Sequence, residues 1–85
     1  MAKKQVTRTQ IEEIIREKYE ERIDAAEDLY RDCRQLLIPG VQIFQTEHAG
    51  ANWDILREDI TGAEACQKML HEVVDGLRLE YEVKS

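Results

Sequence analysis

Apolar residues recur at helical spacing through the first half of the chain, and neither glycine nor proline interrupts them between Gln5 and Ile38. At 100° per residue they fall within an arc of about 140°, and the opposite face is mostly acidic. Thr9 with Glu12 three positions later forms a capping-box pattern, which marks a helix start. The pattern predicts one amphipathic helix from Thr9 to about Leu37. Its apolar stripe contains Ile11, Ile15, Tyr19, Ile23, Ala26, Leu29, Tyr30, Cys33, Leu36 and Leu37.

Two interpretations of this helix fit the sequence, one continuous helix or two shorter ones. Asp24 and Glu27 form a second capping-box pattern, so two shorter helices that meet near Asp24 are an alternative. Ile15, Ala26 and Leu37 are spaced by 11 residues, which suits a nearly straight helix rather than a left-handed coiled coil. A continuous helix would be about 43 Å long, more than the rest of the chain can cover.

A β-hairpin is predicted after this helix. Pro39 and Gly40 end the helical pattern, because proline disfavours helical geometry in the residue before it. Residues 41–46 are rich in β-formers, residues 47–50 favour a turn, and residues 51–56 alternate partly between apolar and polar. Since an isolated hairpin is unstable in water, we expect it to pack on helices or to pair across an interface.

A second amphipathic helix is predicted from a capping-box pattern at Thr61 and Glu64 to about Tyr81. The alternative for its end is a third strand over residues 77–83, where apolar and charged residues alternate. The stripe of this helix consists of Ala63, Cys66, Met69, Leu70, Val73, Val74, Leu77 and Tyr81. The predicted fold class is therefore α+β, with a long N-terminal helix, a central β-hairpin and a second amphipathic helix.

The 85 residues suffice for a single small domain over residues 1–85, in which residues 1–8 are expected to form a flexible basic tail. No apolar stretch approaches the roughly 20 residues that cross a bilayer. The basic N-terminus is not followed by the apolar region of a secretory signal, so we expect no membrane association and a cytoplasmic location.

Charge bears on the class of partner. The net charge is −6, which disfavours binding to nucleic acid and favours basic partners. Segment 12–32 has nine acidic and four basic residues, a net charge of −5. This acidic face allows an alternative function, in which the chain inhibits a nucleic-acid-binding protein by mimicking the phosphates of its ligand.

Residues that could carry chemistry are few. Cys33 and Cys66 each lie on an apolar face, so we expect buried free thiols, with a disulfide as the alternative. His48 falls in the hairpin turn and His71 near the polar face of the second helix, without the spacing of a metal or acid–base site. No phosphate-binding glycine motif occurs. We therefore expect no enzyme activity, no cofactor and no metal, and a small enzyme or metal site is the least favoured function.

The long apolar stripe favours an interaction protein. Arg22 lies near the centre of the stripe, where it either extends its stem over apolar surface or meets an acidic group on a packed partner. Trp53 is an anchor residue for the core or for an interface. A second copy would cover the surplus stripe most simply, so a homodimer is predicted. The candidate interface residues are Tyr19, Arg22, Ala26, Tyr30 and Trp53.

Part of the chain between Asn52 and Tyr81, with Cys66, Leu70 and Leu77, resembles short reading frames of bacteria and their phages, a resemblance that implies no function. The function predicted first is a non-enzymatic protein–protein interaction or regulatory module of a bacterium or phage, acting through an amphipathic helix and the hairpin.

Overall fold

The computed structural model describes residues 3–48 and 50–84, and shows the α+β fold that was predicted. Its elements, in chain order, are β1 (Lys4–Val6), α1 (Arg8–Ala25), α2 (Glu27–Tyr30), a 3-10 helix (Arg31–Gln35), β2 (Val41–His48), β3 (Ala51–Ile55), a 3-10 helix (Arg57–Asp59), α3 (Glu64–Glu80) and β4 (Tyr81–Val83). Strands β2 and β3 form the predicted antiparallel hairpin.

Helix α1 begins two residues earlier than the predicted capping box. Thr7 is the N-cap: its hydroxyl accepts from the Gln10 amide at 3.1 Å, and the Gln10 side chain accepts from the Thr7 amide at 2.8 Å. The box predicted at Thr9 and Glu12 is therefore wrong. The Glu12 carboxylate instead accepts a hydrogen bond at 3.2 Å from the amide of Val41, which starts β2.

The first helix ends at Ala25, so a single helix to Leu37 is also wrong. Ala26 has φ −144° and ψ 56°, outside the helical region, and the chain then forms α2 and a 3-10 helix. The 18 residues of α1 span about 27 Å rather than 43 Å. The break lies where the alternative placed it, but no side chain caps α2, and Asp24 pairs with Arg34 instead.

Helix α3 begins at Glu64 without the predicted Thr61 cap. Ala63 is its N-cap residue and makes no side-chain cap bond, and Gly62 precedes it with φ 114°, a conformation that favours glycine. The helix continues to Glu80 as expected. The three residues after it form β4, so the helix and strand alternatives are each correct for part of this region.

The predicted flexible tail contains a strand. Within residues 3–8, β1 pairs in parallel with β4, with Lys4 opposite Tyr81 and Val6 opposite Val83. The Lys84 amide continues this ladder with a 2.9 Å bond to the Val6 carbonyl. Long-range pairing therefore orders residues 4–6, although their composition predicts a tail.

Side chains join the two small sheets. The Asn52 amide group donates to the Val83 carbonyl at 2.7 Å and accepts from the Val83 amide at 3.0 Å, much as a neighbouring strand would. The indole nitrogen of Trp53 donates to the Tyr81 carbonyl at 3.0 Å. These contacts hold β4 against β3 and bring the chain ends onto the core.

One hydrophobic core lies between α1, α3 and the hairpin. Trp53 has no exposed surface and is the largest of its fully buried side chains. The core also includes Ile11, Ile15, Tyr19, Ile23, Val41, Ile55, Met69, Leu70, Val73, Val74, Leu77 and Val83. The hairpin, α3 and β1 and β4 thus cover most of the apolar face of α1 within the same chain.

Candidate binding surface

A groove of about 370 Å³ lies between α1 and the segment 36–40 that leads into β2. Its volume is in the range of ligand-binding pockets. We call it the α1 groove. The residues that line it are Arg16, Tyr19, Glu20, Ile23, Arg34, Leu36, Leu37 and Ile38.

One wall of the α1 groove offers both apolar surface and unpaired backbone. Leu37 is 80% exposed although leucine is usually buried. The Leu36 amide donates to the Cys33 carbonyl at 3.2 Å, and the next amide bonded is that of Val41. Between them, the backbone of residues 37–39 makes no hydrogen bond to any part of the chain that the structure describes.

One exposed carboxylate, that of Glu20, lines the groove together with the side chains of Arg16 and Arg34. Glu13, Glu17 and Glu20 are spaced by four and three residues, so they lie on one face of α1, and we call them the acidic row. Within residues 3–48 and 50–84 none of them is in an ion pair, and neither is Arg16. Arg34 pairs with Asp24, and this hydrogen bond raises the pKa of its guanidinium.

The structure separates the five predicted interface residues. Tyr19 and Trp53 are in the core, Ala26 and Tyr30 are half-buried, and Arg22 is exposed. The Tyr19 hydroxyl donates to the Cys33 carbonyl at 3.0 Å, and burial raises the pKa of this phenol. Sequence reasoning missed the α1 groove because it placed Leu37 on the buried stripe of a continuous helix.

Arg22 meets an acidic group, as one interpretation of the sequence expected, but the acid belongs to the same chain. Its guanidinium lies 3.2 Å from a carboxylate oxygen of Glu72 on α3. Both side chains are about half exposed, so the pair contributes little to stability. It therefore gives no indication of a second molecule.

Cys33 and Cys66 form a disulfide, so the prediction of free thiols is wrong. Their Cα atoms are 5.3 Å apart, and the bond joins the first 3-10 helix to the first turn of α3. The turn of the chain at Ala26 allows Cys33 to approach α3. The sequence placed both cysteines on apolar faces but could not show that these faces meet.

A polar network around Arg57 connects β3 with α3. The Arg57 Nε lies 3.1 Å from both carboxylate oxygens of Asp54, and its Nη2 is 2.6 Å from Asp75. Its Nη1 is 2.8 Å from His71 Nδ1, which must accept because a guanidinium only donates. Burial lowers the pKa of Arg57, but hydrogen bonds to Asp54 and Asp75 outweigh it, so the pKa is raised.

The arrangement of this network indicates a structural role. Arg78 adds a bond of 2.8 Å from its Nε to the Trp53 carbonyl and lies 3.9 Å from Asp54. His71 faces a guanidinium, and Cys66 is oxidised, so these two residues do not form a nucleophile–base pair. The His48 side chain lies outside the described part of the structure.

The part of the chain that the structure describes has no group of three His, Cys, Asp or Glu placed to hold a metal ion. None of its helices is long and apolar enough to cross a membrane. Comparison with protein-family models, curated proteins and solved structures finds no match in any of the three.

Proposed function

We propose that this protein is a non-enzymatic interaction module of a bacterium or phage, and that it binds a basic segment of another protein at the α1 groove. The observation that carries this proposal is the exposed Leu37, which borders a groove of mixed polar and apolar lining on the helix that bears the acidic row. Burial of an apolar partner residue there would supply affinity, and lysine or arginine residues on either side would face the carboxylates.

The backbone of residues 37–39 favours an extended partner. The amide and carbonyl groups of Leu37 and Ile38 and the carbonyl of Pro39 are free to make main-chain hydrogen bonds, as in recognition by strand addition. Arg16 is a cation without an ion pair among the described residues, and it lines the same groove. It would meet an acidic group or the terminal carboxylate of the bound segment and so set its direction.

The test is a titration with a short peptide of alternating lysine and leucine, followed by amide chemical shifts. We expect shift changes confined to residues 13–23 and 34–40, and none with a matched peptide of alternating glutamate and leucine. Equal binding of both peptides, or shift changes elsewhere on the chain, would reject the α1 groove as the binding surface.

Charge reversal provides the matched control. The E13K/E17K/E20K variant should bind the basic peptide at least about tenfold more weakly, since three favourable charge pairs are replaced by repulsion. The E47K/E58K/E80K variant changes net charge equally at exposed acids that make no ion pair in the described part of the chain. We expect this control to bind the basic peptide only slightly more weakly than the wild type, because only its net charge has changed.

The second candidate is an acidic inhibitor that mimics nucleic acid. It is favoured by the acidic row, whose carboxylates rise along α1 in steps of about 6 and 4.5 Å. Reversal of Glu13, Glu17, Glu20 and Asp24 would abolish binding to a nucleic-acid-binding protein under this hypothesis. Leu37→Ser separates the two candidates, because mimicry predicts unchanged binding and the interaction module predicts loss.

Self-association and location stay predictions. The homodimer was inferred from the helix length, and α1 ends at Ala25, so that reason no longer applies. A monomer by light scattering at tens of micromolar would reject it. A cytoplasmic location would place the Cys33–Cys66 disulfide in a reducing environment, where structural disulfides are rare.

A further inference from the structure

The chain between α1 and β2 is weakly packed, and we call residues 26–40 the linker. Helix α2 has no buried residue, and the following 3-10 helix buries only Cys33. Leu29 and Leu37 are 79% and 80% exposed. The linker contacts the core through half-buried Tyr30, Leu36 and Ile38, besides Cys33.

The disulfide is the strongest tie between the linker and the rest of the molecule. The Tyr19 hydroxyl adds one hydrogen bond to the Cys33 carbonyl, and Arg34 adds an ion pair with Asp24. That ion pair is largely exposed to solvent, and such pairs contribute little. Loss of the covalent bond would therefore leave the linker with few contacts.

A second cavity leads to the disulfide. It measures about 350 Å³ and lies between the linker and the start of α3. Its lining includes Cys66 together with Leu36, Leu37, Gly62 and Ala63. Cys66 thus borders a cavity beside the linker, although little of either cysteine is exposed.

We propose that the Cys33–Cys66 disulfide is a redox switch that holds the linker, and with it one wall of the α1 groove. The reductant is a dithiol. Its thiolate attacks Cys66 Sγ, the disulfide bond breaks, and the electron pair goes to Cys33 Sγ, which takes a proton from water. The second thiol of the reductant then displaces Cys66, so two electrons and two protons reach the protein and the dithiol becomes a disulfide.

The position of Cys33 couples the disulfide to the α1 groove. Its partner Cys66 lies in the first turn of the 17-residue helix α3. The wall residues Arg34, Leu36, Leu37 and Ile38 follow Cys33 directly in the chain. Release of Cys33 would therefore open the α1 groove, and this consequence for binding rests on the function proposed above.

Hydrogen exchange on the oxidised and reduced full chain tests the switch without any partner. In millimolar dithiothreitol, with reduction confirmed by alkylation of two thiols, we expect amides 27–40 to exchange at least tenfold faster. The amides of α3 and β3 should lose only the protection that the lower free energy of global unfolding accounts for, and should stay better protected than amides 27–40. Trypsin should cut after Arg31 and Arg34 in the reduced protein faster than in the oxidised one.

The C33S/C66S variant is the matched control. Its amides 27–40 should exchange as fast as those of the reduced protein, and dithiothreitol should not change their exchange rates. Unchanged protection of residues 27–40 after reduction would overturn the switch. So would a disulfide that resists reduction under native conditions. The switch would also be overturned if the α3 amides of the reduced protein were as poorly protected as amides 27–40, because the bond would then stabilise the whole fold rather than the linker.

The lysine–leucine peptide separates this inference from the proposed function. We expect the oxidised protein to bind it at least tenfold more tightly than the reduced protein. If the oxidised protein does not bind the peptide but the linker still opens on reduction, the proposed function fails and the switch stands. If both forms bind equally, the switch does not control the groove.

Discussion

Helix α3 and the linker differ sharply in how much of each is buried. Six of the 17 residues of α3 have buried side chains, and the Arg57 network joins its polar face to β3. In the linker, Cys33 is the one fully buried side chain. Noncovalent packing thus holds α3, whereas a single covalent bond contributes much of what holds the linker. The surface proposed for binding lies on the less packed side.

The largest effect is expected in the core that α3 shares with the hairpin. Trp53→Ala should lower the free energy of unfolding by about 4 kcal/mol, since it leaves a cavity and removes the bond to the Tyr81 carbonyl. Urea denaturation measures this change. The control Leu79→Ala removes a side chain that is 75% exposed, and should change stability by less than about 0.5 kcal/mol.

Removal of the disulfide should have the next largest effect. The bond closes a loop of 33 residues, so C33S/C66S should lower the free energy of unfolding by about 3 kcal/mol. A domain of this size has about 4–13 kcal/mol in total. Denaturation with and without dithiothreitol measures the change in the wild type, and the variant should not respond to the reductant. A change below about 1 kcal/mol would mean that noncovalent contacts hold the linker.

The Arg57 network should contribute less than the disulfide. Arg57→Gln leaves Asp54, whose side chain is 17% exposed, with the Ile55 amide as a donor and the more distant Arg78 as a cation, and should cost about 2 kcal/mol. Arg31→Gln breaks a pair that is 75% and 100% exposed, and should cost close to nothing. If urea denaturation shows the same loss of stability for both variants, then burial does not make the Arg57–Asp54 pair stronger than the exposed Arg31–Asp28 pair.

The smallest effect concerns Tyr19 and appears at alkaline pH. Burial raises the pKa of this phenol above 10.0, so the folded protein holds the proton to a higher pH than the unfolded chain. The resulting stability is present below pH 10 and is lost as pH rises through the folded-state pKa. At pH 8, Tyr19→Phe should have a free energy of unfolding about 1 kcal/mol lower than the wild type, because it lacks the hydrogen bond to the Cys33 carbonyl. As pH rises from 8 to about 10.5, the free energy of unfolding should fall less in the variant than in the wild type, because the variant has no phenol to ionise. Urea denaturation at both pH values measures the two differences.

The periodicity of the sequence predicted the hairpin, the extent of α3 and most of the core. These features depend on local pattern: β-formers follow Pro39, and apolar residues return every three or four positions up to Leu77. The same pattern overextended the first helix, because Leu29 and Leu37 match the stripe of α1 but have no partner surface. Periodicity shows where a helix would be amphipathic, not where packing allows it to continue.

By itself, the sequence determined the α+β class, the amphipathic faces of α1 and α3 and the acidic surface, since these follow from residue order and charge. Only the tertiary structure decided that Cys33 meets Cys66, that β1 pairs with β4, and that Arg22 finds Glu72 in its own chain. Each of these contacts joins residues more than 30 positions apart. Their formation depends on the turn at Ala26 and on the packing of α1 against α3, which no local pattern encodes.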